Sequence, residues 1–225
     1  MPCWQVAGQE HRLRDCMQTN TTPGAAWVKR FLQPLLVRHF PTDKAVSCAQ
    51  VAATDPSEAE ELRALGHACE LLEPTASLRL EARDASFDFA FTGRFPVLAA
   101  EPPARVRLAR ELHRVLRRGG ALLLVSGNRH CPLDLTRNGP LLHSPGAQQG
   151  LSSREVGTIL VKEGGFANVR PLSVCGHFGW NRLNGSQRWV GRVLDAYWHR
   201  LATPSRKWLY FSPLNPTLVL WLVKG

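Results

Sequence analysis

The sequence predicts an α/β fold, and two observations carry the prediction. Residues 84–125 read as an acidic turn, an aromatic strand (Phe87-Asp88-Phe89-Ala90-Phe91), a basic amphipathic helix, a Gly119-Gly120 stop and a second apolar strand, Ala121-Leu122-Leu123-Leu124-Val125. Two apolar strands joined through a covering helix make a right-handed βαβ crossover, whose strands run parallel. Residues 44–73 give the same strand–helix–strand order once more upstream, with Gly66 as the helix stop and Glu73 at the second strand's end.

From the N-terminus, residues 8–18 and about 24–40 read as helices separated by Thr19-Asn20-Thr21-Thr22-Pro23-Gly24, whose Thr and Pro suit a cap and a first turn. The second helix carries Trp27, Phe31, Leu35 and Leu36 at helical spacing, so one face must pack, and Pro34 predicts a bend or break. A short apolar strand spans 44–49. A turn at Thr54-Asp55-Pro56-Ser57 leads to an acidic helix at 58–65, and 67–73 is the next strand. Beyond Val125, residues 126–150 form a loop rich in Gly, Pro, Asn and His. A helix from about 153 to 163 stops at Gly164-Gly165, and 167–175 and 217–223 read as strands. Between those strands lies a Trp- and Arg-rich segment with one helix, 186–201, where Trp189, Val193, Tyr197 and Leu201 recur at helical spacing. No repeat of solenoid period is present.

A chain of 225 residues, 44% hydrophobic and 20% charged, has the composition of an ordinary globular protein and not of a disordered one. The net charge of +10 suits an acidic partner or Arg scattered over helix faces; only Arg114-Val115-Leu116-Arg117-Arg118 is locally dense, at a helix C-terminus where cations suit the dipole. Arg188, Arg192, Arg200 and Arg206 interleave with the aromatics of the 186–201 region and permit a lower-ranked reading, a surface for nucleic acid or an anionic membrane. The six cysteines form no C-x-x-C pair, which argues against a zinc site and fits a reducing compartment. With no signal-like start and no run of ~18–20 apolar residues, the expectation is a cytoplasmic protein. P-loop, H-E-x-x-H and G-x-S-x-G patterns are missing, which argues against phosphoryl transfer, zinc proteolysis and serine hydrolysis.

Asp84-Ala85-Ser86-Phe87-Asp88, followed by Leu112-His113-Arg114-Val115-Leu116-Arg117-Arg118-Gly119-Gly120, resembles the middle of class I S-adenosylmethionine-dependent methyltransferases. In that family "D-x-S-F-D" opens strand four and "L-x-R-V-L-x-x-G-G" precedes strand five. Gly66-His67 through Glu73 is similar to the family's strand two, which ends in an acid. The resemblance spans roughly 44–175, with 217–223 as the last strand. It implies a Rossmann-like, mostly parallel sheet with helices on both faces and an antiparallel last strand. It also implies a division into N-terminal helices (1–43) and an α/β domain (44–225) with a helical insertion at about 178–215.

The resemblance further implies S-adenosylmethionine as cofactor and methyl transfer to a small molecule, without a metal. Cofactor contacts would fall on the loop Ser47, Cys48, Ala49 and Gln50, on Glu73 as the ribose acid, and on Thr92 and Gly93 beyond strand four. Acceptor contacts would come from Arg94, Asn128 and Arg129, with His130 as general base for a hydroxyl substrate. Asp134, Arg137, Asn138 and His143 add polar groups to that loop, and His177-Phe178-Gly179-Trp180 and Trp208-Leu209-Tyr210-Phe211 offer an aromatic lid.

Two departures are visible. Where the family has "D-x-G-x-G-x-G", residues 46–53 contain no glycine, so any position needing positive φ carries a Cβ. Only residues 74–83 separate Glu73 from the "D-x-S-F-D" wording, too few for a helix plus strand three at ~1.5 and ~3.3 Å per residue. Leu78 and Leu80, or a partner chain, would have to cover the adenine side. The alternative function is therefore a catalytically inactive, methyltransferase-like scaffold or binding module.

Overall fold

A computed structural model of the chain describes residues 27–40, 44–53, 56–93, 101–130, 150–172 and 217–225. The expected helices at 8–18 and 186–201, the aromatic lid and residues 131–149 lie outside them.

The first helix, α1, is a π-helical stretch Val28–Leu32 that continues as an α-helix over Gln33–His39. Pro34 has no N–H to complete the usual i→i−4 ladder, and the break expected there takes the form of this change in helical pitch. β1 is Ser47–Val51, α2 is Ser57–Ala64, β2 is Ala68–Leu72 and β3 is Phe87–Thr92. They are followed by α3 (Pro102–Val115) and β4 (Leu116–Gly127). α4 begins as Ser153–Glu155 and continues as a π-helix over Val156–Glu163; β5 is Phe166–Leu172 and β6 is Thr217–Lys224.

The six strands of the described residues form one sheet in the order β2-β1-β3-β4-β6-β5. β2, β1, β3 and β4 are mutually parallel, while β6 runs antiparallel to both β4 and β5. This is the mostly parallel sheet with an antiparallel last strand that the resemblance implied. Alternation along the strands splits the core in two. Ala49, Val51, Ala90, Leu122, Leu124, Leu220 and Leu222 pack with Leu108, Leu112, Ile159 and Leu160 of α3 and α4. Cys48, Cys69, Phe89, Phe91, Leu123 and Trp221 pack on the other face with Trp27, Leu32 and Leu36 of α1 and Ala59 and Leu62 of α2. There the rings of Phe91, Phe89 and Trp221 stack in series, at 5.7 and 5.6 Å between centroids.

Strand three is absent, as the spacing predicted. Residues 73–86 hold only an isolated antiparallel bridge between Pro74 and Leu80. Leu80 is buried against the α3 face, with Leu78 packed beside it, and its N–H donates to Glu111 Oε2 at 3.1 Å. The connection thus plugs the core on the α3 face. β2 becomes a sheet edge, and Arg63 Nε blunts it by donating to Cys69 O at 2.8 Å.

Two sequence expectations need correction. The strand placed at 44–49 runs from Ser47 through Val51, so the glycine-free bend comes at Ala52 and not after Val46. Gly119-Gly120 does not separate helix from strand. α3 ends at Val115 and β4 starts at Leu116; its pairing then jumps from Phe87↔Leu116 to Phe89↔Ala121, leaving the glycines in a bulge. Gly119 has φ 75°, and a Cβ on Gly120 would lie 2.8 Å from Arg117 O and 2.9 Å from Asp88 O. A larger residue fits neither place.

Candidate functional site

In a doubly wound sheet, ligands sit beyond the carboxyl ends of parallel strands where the strand order reverses. Here that point is β1, with β2 on one side and β3 on the other. The register Val51↔Leu72 continues into a hydrogen bond from Ala52 N–H to Leu72 O at 2.8 Å. Glu73, the next residue and exposed, therefore stands beside the bend that ends β1. Ala52 is buried with φ 53°, the left-handed conformation that glycine ordinarily supplies. The bend thus takes a glycine-like backbone conformation on an alanine.

The shift of β1 moves the predicted loop contacts. Ser47 opens the strand, at the opposite sheet edge: its N–H donates to Asp88 Oδ2 at 3.0 Å and its hydroxyl to Ser86 O at 3.3 Å. Asp88 also binds Arg117 Nη1 at 2.7 Å, so this acid of the "S-F-D" wording is a clamp between strands. Cys48 and Ala49 are fully buried in opposite cores. Burial pushes the Cys48 thiol far up and that of Cys69 up to about 11, leaving both as inert packing groups. Gln50 is buried and donates through Nε2 to Glu58 Oε2 at 2.7 Å. As a correction, then, these four residues are strand and not loop, because β1 continues past them. Ala52 and Ala53 occupy the bend.

Thr92 is buried at the end of β3, and Gly93 follows it with nothing within 4 Å of where a Cβ would stand. Among the described residues, the carboxyl edge is open beside β3. Arg94 lies outside the described residues. At the end of β4, Asn128 is buried and bridged to Leu151, and its Oδ1 accepts the His130 N–H at 3.1 Å. Asn128 shapes the turn and His130 is exposed upon it. Arg129 turns to Glu155, its Nη2 2.9 Å from Oε1.

Sequence reasoning missed two residues here. Arg105, from the first turn of α3, places Nη1 2.7 Å from the same Glu155 Oε1 with only 4% of its side chain exposed. Burial pulls its proton affinity below the ordinary arginine value, with Glu155 opposing the shift. Glu155 belongs to a capping box with Ser152, and Ser152-Ser153-Arg154-Glu155 carries that signature in the sequence. Nothing local announces that Arg105 meets it across 50 residues.

Among the described residues, no three His, Cys, Asp or Glu side chains gather to hold a metal ion, and no helix is long and apolar enough to cross a membrane. No curated protein sequence matches the chain. The family described as "Methyltransferase domain" matches residues 37–124 of the 225. Among solved structures the chain is similar to Haemonchus contortus phosphoethanolamine N-methyltransferase 2 in complex with S-adenosyl-L-methionine. The likeness has 14% identity and a TM-score of 0.51, over 98% of this chain and 61% of that one. A second structure of that enzyme, with phosphomonomethylethanolamine and S-adenosylhomocysteine, gives 14%, 0.50, 99% and 61%. At that identity the likeness speaks for the fold alone, and this chain spans less than two thirds of the enzyme's length. The match covers 88 of the 225 residues, so over 37–124 the chain is similar to a methyltransferase domain, on a sheet with this strand order, a glycine-free first loop and no third strand.

Proposed function

We propose that this chain binds S-adenosylmethionine at the carboxyl edge of β1 and β2 and transfers its methyl group to a small-molecule acceptor held over β3 and β4. One observation carries the reading: the Ala52 N–H to Leu72 O bond sets Glu73 beside the β1 bend, at the reversal of strand order. The donor residues fit the group. An exposed carboxylate accepts two vicinal ribose hydroxyls, and the open space at Gly93 admits a ligand close to the backbone. The cofactor supplies a methyl group already activated on a sulfonium, so the protein's part is chiefly alignment. Glu73 orients the nucleoside, Ala52 and Ala53 floor it, and Thr92 and Gly93 border the passage to the acceptor. His130, exposed past β4, receives the acceptor's proton where that acceptor is a hydroxyl.

The cytoplasm is part of the same proposal, supported by Cys48 and Cys69, which stay free although registered side by side on adjacent strands. So is the division at residue 43/44 with an insertion at about 178–215. The second reading, an inactive scaffold, is favoured by the Cβ that Ala52 places in the loop.

Isothermal titration with S-adenosylmethionine and S-adenosylhomocysteine decides between them. Saturable binding that Glu73→Ala weakens at least tenfold, about 1.4 kcal/mol, supports the enzyme. Absence of binding at millimolar cofactor leaves the scaffold.

A further inference from the structure

The end of β4 carries two guanidinium groups on one carboxylate. Glu155 Oε1 accepts from Arg105 Nη1 at 2.7 Å and Arg129 Nη2 at 2.9 Å, while Oε2 accepts from the Ser152 N–H at 2.9 Å and the Ser152 hydroxyl at 2.8 Å. The carboxylate's acceptor positions are thus taken up, and its single charge is shared between two cations. Glu101, the exposed N-cap of α3, adds a weaker attraction for Arg105 that solvent screens. A clamp that only joined α3 to α4 would need Arg105 and Glu155 alone.

Arg129 is the surplus cation. It directly follows the strand end, 34% of its side chain is exposed, and its Nε is a buried donor with no acceptor. A planar guanidinium that stays a third exposed while one edge is held by a carboxylate is suited to recognise an oxyanion. It stands at the edge where the acceptor was placed above. We propose that Arg129, held by Glu155 and backed by Arg105, binds a carboxylate or phosphate group of the methyl acceptor. The identity of the ligand as the acceptor rests on the methyltransferase reading; the anion site does not.

The test uses the whole chain and two probes, inorganic phosphate and acetate, against chloride at equal ionic strength. Phosphate binding is followed by 31P line width and acetate by thermal midpoint. Variants are R129Q, R129K and, as a control on the exposed face of α3, R107Q. Saturable binding of one probe that R107Q retains, R129K weakens and R129Q reduces at least tenfold supports the site, and the probe that binds tells phosphate from carboxylate. Equal binding by wild type and R129Q overturns it, as does a response no different from chloride. S-adenosylhomocysteine is titrated into the same variants. Its binding should survive R129Q; lack of it in every variant, with the anion still bound, sinks the methyltransferase reading and leaves the anion site standing.

Discussion

Replacing Glu155 with alanine should be the most damaging single change among the surface-proximal acids. The substitution strands Arg105, whose side chain is 4% exposed, without its 2.7 Å partner. Removing one member of a buried pair costs about 3–5 kcal/mol, because the remaining buried charge loses a hydrogen-bonded carboxylate. Loss of the capping box at the start of α4 contributes about 1 kcal/mol. The Arg129 bond, at a third exposed, adds no more than roughly 0–1 kcal/mol. These terms overlap, since the same side chain makes all the bonds, so the expected total is about 3–5 kcal/mol. For a chain of this size that corresponds to a fall in Tm of roughly 6–20 °C, at about 2–4 °C per kcal/mol.

Urea unfolding of wild type, E155A and E163A checks the figure. Glu163 pairs with Arg110 at 2.9 Å, but both are exposed (38% and 60%), so E163A should lose about 0–1 kcal/mol. The double variant R105M/E155L, which replaces ions by apolar groups of similar bulk, should recover most of the loss. If E155A and E163A fall within about 1 kcal/mol of each other, Arg105 does not depend on Glu155 as a buried charge depends on its paired carboxylate, and the reasoning about its neighbour Arg129 fails with it.

The remaining predictions test the bend and one titrating side chain. Ala52 and Ala85 both hold left-handed φ, 53° and 51°. Glycine relieves about 1–2 kcal/mol of strain and returns about 0.4–1 kcal/mol in unfolded-chain entropy, so the exposed Ala85→Gly should stabilise by about 0.5 kcal/mol in urea. Ala52→Gly gives up a buried methyl worth about 0.8 kcal/mol and should be near neutral; in calorimetry it should tighten S-adenosylhomocysteine binding, and unchanged affinity would clear the Cβ of blocking the site. His67 accepts the Val46 N–H on Nδ1 and contacts Gln33 Oε1 through Nε2 at 2.8 Å, and burial lowers its pKa from the ordinary histidine value. The unfolded chain then holds more protons near pH 6 than the folded one, so stability is present above about 6.5 and is lost as pH falls below it. Unfolding midpoints at pH 5 and 7.5 should lie closer together in H67Q than in wild type, yet still differ, because burial and Lys224 depress His113 in the same direction.

What the sequence made legible was periodic. The 87–92 strand, the α3 helix and the two late strands all appear where alternating or helical apolar spacing put them, and the short 74–83 link announced the missing strand by its length. Errors arose where distant chain decides. Val46-Ser47-Cys48-Ala49-Gln50-Val51 looks like a strand giving way to a polar loop, yet Gln50 stays in the core because Glu58 of α2 receives its amide. Gly119-Gly120 looks like punctuation, yet pairing of Leu116 with Phe87 draws the glycines into a bulge. Asp88 looked like part of a signature and is a clamp on Ser47 and Arg117. Arg105 and Glu155 are unremarkable letters 50 positions apart, and only the fold makes them neighbours.

The two proposals meet along one line. The carboxyl edge runs from Glu73 beside β2, through small residues at Ala52, Ala53 and Gly93, to Arg129 beyond β4. Adjacent strands lie about 4.8 Å apart, so β2 and β4 are separated by about 14 Å, with a negative group at one end and a surplus cation at the other. Glu73 and Arg129 lie beyond the strand ends and prefer opposite ligands. A hydroxyl-bearing nucleoside is drawn to Glu73, and an anionic acceptor is repelled there and attracted to Arg129. Exchange of the two ligands is therefore disfavoured at both ends. Neutralising one end, as E73Q or R129Q would, should lower affinity for that end's ligand while leaving the other's intact. Coupled loss of both would mean that the edge is a single site, and not two.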